Sequence, residues 1–541
     1  MEPAGHEATA TPAEEEAAAK EEAAPSPTKE EAASQEEAAP SPTKEEAASQ
    51  EEAPSLTTKP TPTTPTPTAA PTPATSTSST PTPTAPIKLA GPISRDLSFP
   101  SKDLYKSALY GSYLFYEAQV SGEKPSWNRI TYRGDSHTDD VVPGGWYDAG
   151  DFLKLNFPMG QTVSFLAWSL LDFPTAYADA GTATPALNNI KLAATYLMKC
   201  HIGEYQYVGQ IGNPGTDHSY WGRPEQQTGT RPAYTYTKET TASDLLGSVS
   251  AALTSSSLVL AGSDAALSKE MLMHAKALYA WGKAYPGLYN AAYSSATYVY
   301  WSSRYVDKLM YAAAWLFRAT GDAAYATDAY AFWQSAGSGD IYTGWDSTFA
   351  PAINLLLKLA SEGKTVPGKA AYEKWIVSSF LSAWQTADGN WSIIKTPKGL
   401  TYPSWSKWGN LRYSNNAAFM TIMRASYSSV NKATNIAWAK SQLDYALSTT
   451  GRSFVCGVGT GFPLQPHHRS ASCPNMPAAC GWDQFYSAAS SPQTLTGALV
   501  GGPPNGDGTY VDLRSDYISN EVAVDYNAGF TGALAGYIAL A

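Results

Sequence analysis

Apolar residues recur at intervals of three and four along most of the chain after Leu97, and strand-like alternation is rare. This spacing is typical of helices, and many of the stretches are Ala-rich with apolar residues on more than one face. Such helices pack on two sides, which predicts an all-α domain whose long intervening loops, rich in Gly, Trp, Tyr, Asp and His, carry function. The pattern predicts helices over Leu104–Gln119, Thr162–Leu171, Ala186–Cys200, Ser243–Leu260, Lys308–Ala319, Pro351–Leu359, Ala371–Gln385, Ala417–Ser429, Thr434–Leu447 and Gly529–Leu540.

The N-terminal part of the chain has a different composition. The string EEAAPSPTKEEAASQ at 21–35 recurs unchanged at 36–50, and Pro, Thr and Ser dominate after Lys59. The first aromatic residue is Phe99, so this part lacks the apolar surface that offsets the entropy of ordering. We therefore expect a disordered acidic tail over 1–58, a stiff Pro/Thr/Ser-rich linker over 59–97 and a folded domain over 98–541.

The charge of −11 is concentrated in the same tail. Residues 1–59 contain 15 Glu and 4 Lys, and the remaining acidic and basic groups balance. The folded part has no net positive charge with which to displace counterions from phosphates, and no stretch of about 18 apolar residues exists. We expect neither a nucleic-acid partner nor a membrane partner. No basic segment followed by an apolar stretch comes after Met1, so no export signal is visible.

Four cysteines are too few for a disulfide scaffold in a chain of this length. Cys456, Cys473 and Cys480 lie within 25 positions of one another, which allows one local bridge. A zinc site that also uses nearby histidines is the alternative.

The segment PGGWYDAGDFLK places two carboxyl groups, Asp148 and Asp151, three positions apart. Glycines on either side let a bulky ligand approach the backbone, and the aromatic residues offer flat faces. A turn that uses Asp for local hydrogen bonds is the alternative interpretation.

A second acidic segment, YVDLRSDYISNEVAVDYNAGF, places Asp512, Asp516, Glu521 and Asp525 among aromatic residues. Aromatic surroundings raise the pKa of a carboxyl group by desolvation, which a general acid requires near neutral pH. The alternative is a solvated, charged loop.

Three further segments combine aromatic rings with imidazole or guanidinium groups: TDHSYWGRPE, WSKWGNLRYSNN and GFPLQPHHR. Sugar rings stack on aromatic faces, and charged groups read their hydroxyls, so the set suits a neutral polyhydroxylated polymer. Two carboxyl groups, one ionised and one protonated, are the minimum for glycosidic cleavage. The chain has no P-loop, dinucleotide fingerprint, GxSxG or HExxH motif, which disfavours other enzyme classes.

Together these motifs resemble glycoside hydrolase family 9, the endo-β-1,4-glucanases, from about Tyr105 to the C-terminus. The strings that carry the resemblance are LFYEAQVSG, YRGDS, GGWYDAGD, DHSYWGRPE, WGNLRYSNNAAF, PHHR, GALVGGP and DLRSDYISNEVAVDYNAGF. HHRSASCPNMPAACGW is similar to the animal, insect and algal type. The resemblance implies an (α/α)6 barrel of twelve helices in the domain over 98–541, a loop-built cleft and an inverting mechanism.

The resemblance also implies roles for individual residues. Asp151 matches the general base that activates water, Asp148 helps to hold that water, and Glu521 matches the general acid. Asp512 and Asp516 are expected to support the site. The positions that match glucan contacts are His218, Trp408, Arg412, His467, Arg469 and Tyr526.

One departure concerns calcium, which many family members bind through a segment resembling SGYxDEL and a later Asp. This chain has SRYVDKL at 303–309, so Asp307 and Asp346 are present but Lys308 stands where a carboxylate is expected. An ammonium group repels a divalent ion. We therefore predict no cofactor and no metal ion.

The sequence thus predicts a secreted, monomeric endoglucanase that cleaves cellulose or another β-glucan, although no export signal is visible. Hydrolysis of another β-glycan, such as mixed-linkage glucan or glucosamine oligomers, is the alternative within the same chemistry. A catalytically idle glucan-binding scaffold is the alternative from another class.

Overall fold

The computed structural model describes residues 98–541. The predicted tail (1–58) and linker (59–97) lie outside the described residues. The all-α prediction is confirmed, and twelve long helices, α1–α12, form the framework. They span Leu104–Ala118 (α1), Asn156–Asp172 (α2), Ala183–Lys199 (α3), Ser243–Leu260 (α4), Ala265–Ala284 (α5), Val306–Thr320 (α6), Ala323–Ala336 (α7), Phe349–Ser361 (α8), Lys369–Trp375, Ile376–Leu381 and Ser382–Thr386 in continuous succession (α9), Asn410–Tyr427 (α10), Lys432–Leu447 (α11) and Val524–Leu540 (α12).

The even-numbered helices form a closed inner ring. Each packs against the next, from α2 through α4, α6, α8 and α10 to α12, and α12 packs against α2. The odd-numbered helices cover this ring from outside, with α1 on α12, α5 on α4 and α11 on α10. This is the (α/α)6 barrel that the sequence predicts.

Burial along the helices reflects the two layers. Every residue of α2 except Asp172 is buried, and so is every residue of α4 except Leu258. In the outer helix α7, by contrast, Ala326 and Ala329 alone are buried. A helix covered on all sides is apolar all round, which explains the weak amphipathic pattern of α2 and α4.

Close contact between inner helices depends on small residues. A Cβ atom on Gly160 of α2 would lie 2.6 Å from Oγ of Ser248 in α4. Any larger side chain would push these helices apart, so this glycine sets the distance between the neighbouring inner helices α2 and α4.

Local signals fix several helix ends. The side chains of Asp103, Asp264 and Asp322 accept hydrogen bonds from backbone N–H groups in the first turns of α1, α5 and α7. Gly321 ends α6 with a positive φ of 73°, a conformation that glycine adopts without steric cost. These caps satisfy backbone groups that a helix leaves unpaired.

Each of the ten stretches that the hydrophobic pattern predicts is helical, but three inner helices begin five or more residues earlier. α2 begins at Asn156 rather than Thr162, α10 at Asn410 rather than Ala417, and α12 at Val524 rather than Gly529. The pattern also does not single out α5 and α7. In α7 the buried residues are two alanines, and in α5 the buried residues begin only at Met271, six positions after the start of the helix.

Strands are short and lie in the loops. Gln206–Ile211 pairs antiparallel with Lys154–Leu155, His201–Gly203 and Ala233–Tyr236, and Ile393–Lys395 pairs with Thr401–Pro403. Short helices in the same loops span Pro174–Asp179, Pro214–His218, Pro224–Gln226, Tyr289–Ala292, Ser294–Thr297, Tyr298–Tyr300, Asn390–Ser392, Arg469–Ser472 and Trp482–Tyr486.

Two features bear on the sequence predictions about membranes and cysteines. By length and composition, one helix of residues 98–541, Ser243–Leu260, could cross a bilayer, but it is the inner helix α4, and 94% of it is buried inside the barrel domain. Cys473 and Cys480 form a disulfide with a Cα–Cα distance of 5.3 Å, while Cys200 and Cys456 are buried thiols. The local bridge is therefore formed, and Cys473 and Cys480 are not zinc ligands.

Candidate active site

Several charged side chains lie at the end of the barrel where the inner helices begin. Asp525 lies in the first turn of α12, and Asp307 lies in the first turn of α6. Arg412 lies near the start of α10. Helix N-termini carry partial positive charge and stabilise acidic groups nearby, so this end of the barrel suits a cluster of carboxylates.

Asp148 and Asp151 lie in the loop that precedes α2. A Cβ atom on Gly150 between them would lie 2.1 Å from the carbonyl oxygen of His467, so no larger residue fits there. The glycine that the sequence motif places in this pair therefore permits direct backbone packing against the PHHR segment.

Asp151 faces His218, whose Nε2 lies 3.0 Å from Oδ2 of the carboxylate. Both side chains are partly exposed, at 14% for Asp151 and 18% for His218. The imidazole orients a carboxylate that remains open to the cleft.

Asp217 lies behind this pair and is buried. Nη1 of Arg469 lies 2.5 Å from Oδ2 of Asp217, and Gln227 donates to its Oδ1 at 3.0 Å. Burial alone would raise the pKa of Asp217, but the charge of Arg469 and the hydrogen bonds lower it. Ligand atoms of Asp151, Asp217 and His218 lie within 4.8 Å of one another, yet Arg469 already neutralises the central carboxylate.

Asp148 is only 2% exposed. The hydroxyl of Tyr300 donates to its Oδ2 at 2.7 Å and lies 3.3 Å from Oδ1 of Asp525. Burial raises the pKa of Asp148 well above its ordinary value, and the charges of Asp525 and Asp151 raise it further. Oδ1 of Asp148 is buried and has no hydrogen-bond partner among the described residues.

Glu521 is half-buried among aromatic residues. The hydroxyl of Tyr526 donates to Oε2 at 2.8 Å, and the indole N–H of Trp408 donates to the same oxygen. Burial raises the pKa of Glu521 to about 6 against the opposing effect of these two hydrogen bonds. The group thus holds its proton under mildly acidic conditions, as the aromatic surroundings predict.

The PHHR segment joins the two acidic loops. The N–H of His467 donates to the carbonyl of Asn520 at 2.9 Å, and the N–H of Arg469 donates to the carbonyl of Gly150 at 3.0 Å. One strand-like segment therefore contacts the residue beside Glu521 and the residue beside Asp151.

His468, between them, is buried, and burial lowers its pKa to about 3, so the imidazole is neutral. Its Nδ1 accepts from the N–H of Ala471, which places the ring proton on Nε2, 2.8 Å from Oε1 of Gln119. Gln119 in turn donates to the carbonyl of Ala149 at 2.6 Å. This relay fixes the backbone between Asp148 and Asp151.

The two supporting carboxylates hold loop backbone. Asp512 accepts from the N–H groups of Leu464 and Gln465 at 2.7 and 3.0 Å, which anchors the start of the PHHR loop. Asp516 accepts from Ile518 and Ser519 at 3.1 and 2.9 Å, just before Glu521. A contribution of these two residues to catalysis stays a prediction.

All six predicted glucan-contact residues surround the carboxylates. His218 touches Asp151, while Trp408 and Tyr526 touch Glu521. The two arginines are buried and bind carboxylates directly: Arg412 lies 3.3 Å from Asp525, and Arg469 binds Asp217. The imidazole Nδ1 of His467 hydrogen-bonds the carbonyl of Arg514 at 2.7 Å. Contact between these side chains and a glucan stays a prediction.

Sequence reasoning does not assign roles to three further residues of the cluster: Tyr300, Asp217 and Asp525. Tyr300 lies in a loop far along the chain from both acidic segments, and no local motif marks it. Asp217 and Asp525 lie directly beside His218 and Tyr526, so adjacency to predicted residues was the available signal.

Asp307 and Lys308, both buried at the start of α6, form a separate group with the partly exposed Asp346. Nζ of Lys308 lies 3.2 Å from Oδ2 of Asp307 and 3.3 Å from Oδ1 of Asp346, and it also donates to the carbonyl of Arg304 at 2.9 Å. Burial would lower the pKa of Lys308, but the neighbouring carboxylates raise it above its ordinary value. A charged ammonium group therefore bridges the two carboxylates.

Comparisons with known proteins identify the family. The model of the family described as glycosyl hydrolase family 9 matches residues 105–534. Endoglucanase 14 of Arabidopsis thaliana is 38% identical over 464 residues, which is 80% of this chain and 93% of that protein. The solved endoglucanase of the termite Nasutitermes takasagoensis is 40% identical, with a TM-score of 0.75 over 81% of this chain and 100% of that one. The solved cellulase Cel9M of C. cellulolyticum in complex with cellobiose is 33% identical, with a TM-score of 0.73 over 81% and 99%. This chain belongs to glycosyl hydrolase family 9.

Proposed function

We propose that this protein is an endo-β-1,4-glucanase that hydrolyses internal bonds of cellulose and related β-glucans with inversion at the anomeric carbon. The observation that carries the proposal is the difference in surroundings between two carboxyl groups, Glu521 and Asp151. Glu521 has a pKa raised to about 6 among aromatic residues, whereas Asp151 lies partly exposed beside His218. The relatives named endoglucanases and the relative solved with cellobiose support the choice of substrate.

Asp151 acts as general base in this proposal. It removes a proton from a water molecule while the water oxygen attacks the anomeric carbon from the face opposite the leaving group. His218 orients the Asp151 carboxylate, and Oδ1 of Asp148, which has no partner among residues 98–541, helps to position the water.

Glu521 acts as general acid. Its proton passes to the glycosidic oxygen as the bond to the anomeric carbon breaks, so the departing chain leaves as an alcohol. The hydrogen bonds from Trp408 and Tyr526 both reach Oε2, which leaves Oε1 of Glu521 to carry the transferred proton.

The glucan chain binds across the same end of the barrel. His218, Trp408, Arg412, His467, Arg469 and Tyr526 are the residues that we assign to its recognition, the arginines through the carboxylates that they hold in place. Exposed Trp301 follows Tyr300 directly, and exposed Trp405 packs edge-on against Tyr413, whose neighbour Arg412 binds Asp525. Such rings are suitable platforms for sugar stacking.

We propose that no calcium ion is resident beside α6. The two carboxylates that remain, Asp307 and Asp346, are neutralised by Lys308, and a divalent cation would have to displace this ammonium group. The remaining residues therefore do not fit the ion that many family members bind.

We also propose a secreted monomer. The disulfide between Cys473 and Cys480 supports an oxidising compartment, because such bonds are rare in reducing ones. The balanced charge of the residues after 59 supports a protein that acts on a neutral polymer.

The test is an NMR time course of the anomers released from cellopentaose by wild type and by Glu521→Gln. Fresh α-anomer from wild type and none from the variant supports inverting β-glucanase chemistry with Glu521 as acid. Release from mixed-linkage glucan or glucosamine oligomers alone would move the substrate to another β-glycan. No release from any of these substrates would favour a glucan-binding scaffold.

A further inference from the structure

A cavity of about 300 Å³ lies between α3 and the loop that leads to Asp148. This volume is at the lower end of the range for small-molecule sites, about 300–1,000 Å³. The cavity shares no residue with the carboxylate cluster. Its lining consists of Trp127, Pro143, Gly144, Gly145, Asn188, Lys191, Leu192, Thr195, Tyr196 and Lys199.

One wall is a polar face of α3. Asn188, Leu192, Thr195 and Lys199 recur at helical spacing and therefore share one side of the helix. Among the described residues, the side chains of Asn188, Thr195 and Lys199 have no hydrogen-bond or ion-pair partner. This wall therefore offers an amide, a hydroxyl and an ammonium group to a ligand.

The hydroxyl of Thr195 is not bonded within its own helix, in contrast to several other helical threonines. Thr254, Thr320 and Thr421 each donate to the carbonyl four residues earlier, at 2.7, 2.7 and 2.8 Å. That bond is the ordinary way for a helical threonine to satisfy its hydroxyl. Thr195 makes no such bond and keeps its donor available at the cavity.

The cavity lining also contains aromatic residues. Trp127 is half-buried and has no ring contact within the part of the chain that the structure describes. Tyr196 of α3 packs against Gly145, and both line the cavity with Gly144. An indole and several hydrogen-bonding groups around one cavity suit a pyranose ring, whose faces are apolar and whose edge carries hydroxyls.

The charges around the cavity favour a ligand rich in acceptor oxygens. Lys191 is paired with Asp264 at 2.9 Å, which leaves Lys199 as the unpaired cation among the lining residues. No carboxylate belongs to the lining. A neutral sugar satisfies one ammonium group through its hydroxyl oxygens without a countercharge.

We propose that this cavity is a second glycan-binding site, outside the catalytic cleft, which holds one end of a short β-glucan chain such as cellobiose. The choice of β-glucan rests on the proposed function. A site of this kind would keep the enzyme attached to a polysaccharide while the cleft turns over another segment, as linked binding events raise the effective concentration of a chain.

The test is ¹⁹F NMR of full-length protein labelled with 5-fluorotryptophan and titrated with cellobiose. The resonances of Trp127 and Trp408 are assigned by their loss in Trp127→Phe and Trp408→Phe, and they report the cavity and the cleft separately. We expect the Trp127 resonance to shift with its own saturation curve. Asn188→Ala and Thr195→Val should each weaken that curve by roughly three- to tenfold, as expected for one hydrogen bond.

A matched control is Thr327→Val on α7, an exposed threonine whose hydroxyl bonds within its own helix. It should leave both resonances unchanged, and Thr195→Val should keep wild-type turnover of soluble substrate. A shift at Trp408 without one at Trp127, or a Trp127 curve unaffected by Thr195→Val and Asn188→Ala, would overturn the second site while the proposed function stands. A shift at Trp127 without one at Trp408 would instead argue against the proposed cleft.

Discussion

The N–H of Val524 donates a hydrogen bond of 2.8 Å to the backbone carbonyl of Asp148. Val524 begins α12 and lies three residues after Glu521, whereas Asp148 lies in the loop before α2. The bond therefore ties the loop of the proposed base to the loop of the proposed acid. An inverting enzyme needs room for one water between the two carboxyl groups, about 6.5–9.5 Å. The backbone bond restrains the position of one loop relative to the other, and an inverting mechanism predicts a separation in that range.

Asp151→Asn should abolish most turnover without loss of substrate binding. The amide cannot accept the proton of the attacking water, and a positioned base contributes about 10²–10⁴ in rate. We would measure kcat on cellopentaose, together with cellotetraose affinity by calorimetry. Asp139→Asn, an exposed carboxylate in the segment before Asp148, is the control and should leave both quantities unchanged. Near-normal turnover by Asp151→Asn would assign the base elsewhere.

Glu521→Gln should lower kcat most for substrates whose leaving group must be protonated to depart. For cellopentaose, whose leaving group is a sugar alcohol, we expect a loss of about 10²–10⁴ in kcat. For dinitrophenyl cellobioside, whose leaving group departs as a stable anion, the loss should be much smaller. The comparison of the two kcat ratios checks the assignment, and equal losses on both substrates would contradict it.

The pH dependence of activity should follow the proton on Glu521. Burial raises the pKa of Glu521 to about 6, and the acid works only while protonated, so kcat/KM should fall as pH rises through about 6. A profile of kcat/KM against pH in the free enzyme gives this limb directly. A fall that starts only above pH 8 would show that another group sets it.

Tyr526→Phe should move that alkaline limb to higher pH. The tyrosine hydroxyl donates to Oε2 and stabilises the charged form, so its removal raises the pKa of Glu521 further, by roughly 0.5–1 unit for one hydrogen bond. Tyr517→Phe is the control for loss of a tyrosine hydroxyl near the site, because the Tyr517 ring packs on Trp408. This variant should leave the alkaline limb where it is in wild type. A shift to lower pH in Tyr526→Phe would contradict the role given to this hydroxyl.

The apolar pattern predicts ten of the twelve helices, and the resemblance to glycoside hydrolase family 9 predicts that they form a barrel. In three inner helices the pattern places the start too late. The first residues of α2 include Asn156, Pro158 and Gly160, which interrupt its apolar pattern. In α10 and α12 the first turns contain Arg412 and Asp525, polar groups at positions where a buried helix otherwise carries apolar residues. The outer helices α5 and α7 fail to stand out for the opposite reason, since broad exposed faces dilute their apolar positions.

The site is predictable where local motifs bring residues together and not where the fold does so. Asp148 and Asp151 share one motif, whereas Tyr300 reaches Asp148 across 152 positions of sequence. The burial of Arg412 cannot be predicted from the sequence either, because its ion pair with Asp525 forms only when α10 and α12 pack side by side. The class of reaction can be inferred from the residue types in the motifs. The contacts between residues that only the folded barrel brings together cannot be inferred in this way.

Lys308→Met should destabilise the protein by about 3–5 kcal/mol, because it leaves two carboxylates, Asp307 and Asp346, without their shared cation in a buried site. Calorimetric melting measures the loss, and Lys440→Met, which breaks the exposed pair with Asp444, should cost less than about 1 kcal/mol.

The Tm of the wild-type protein should not respond to a chelator, since the ammonium group of Lys308 already neutralises the two carboxylates. Lys308→Glu adds a third carboxylate, so added Ca²⁺ should raise its Tm. A marked fall of wild-type Tm on chelation would show that a divalent ion, not Lys308, neutralises this group.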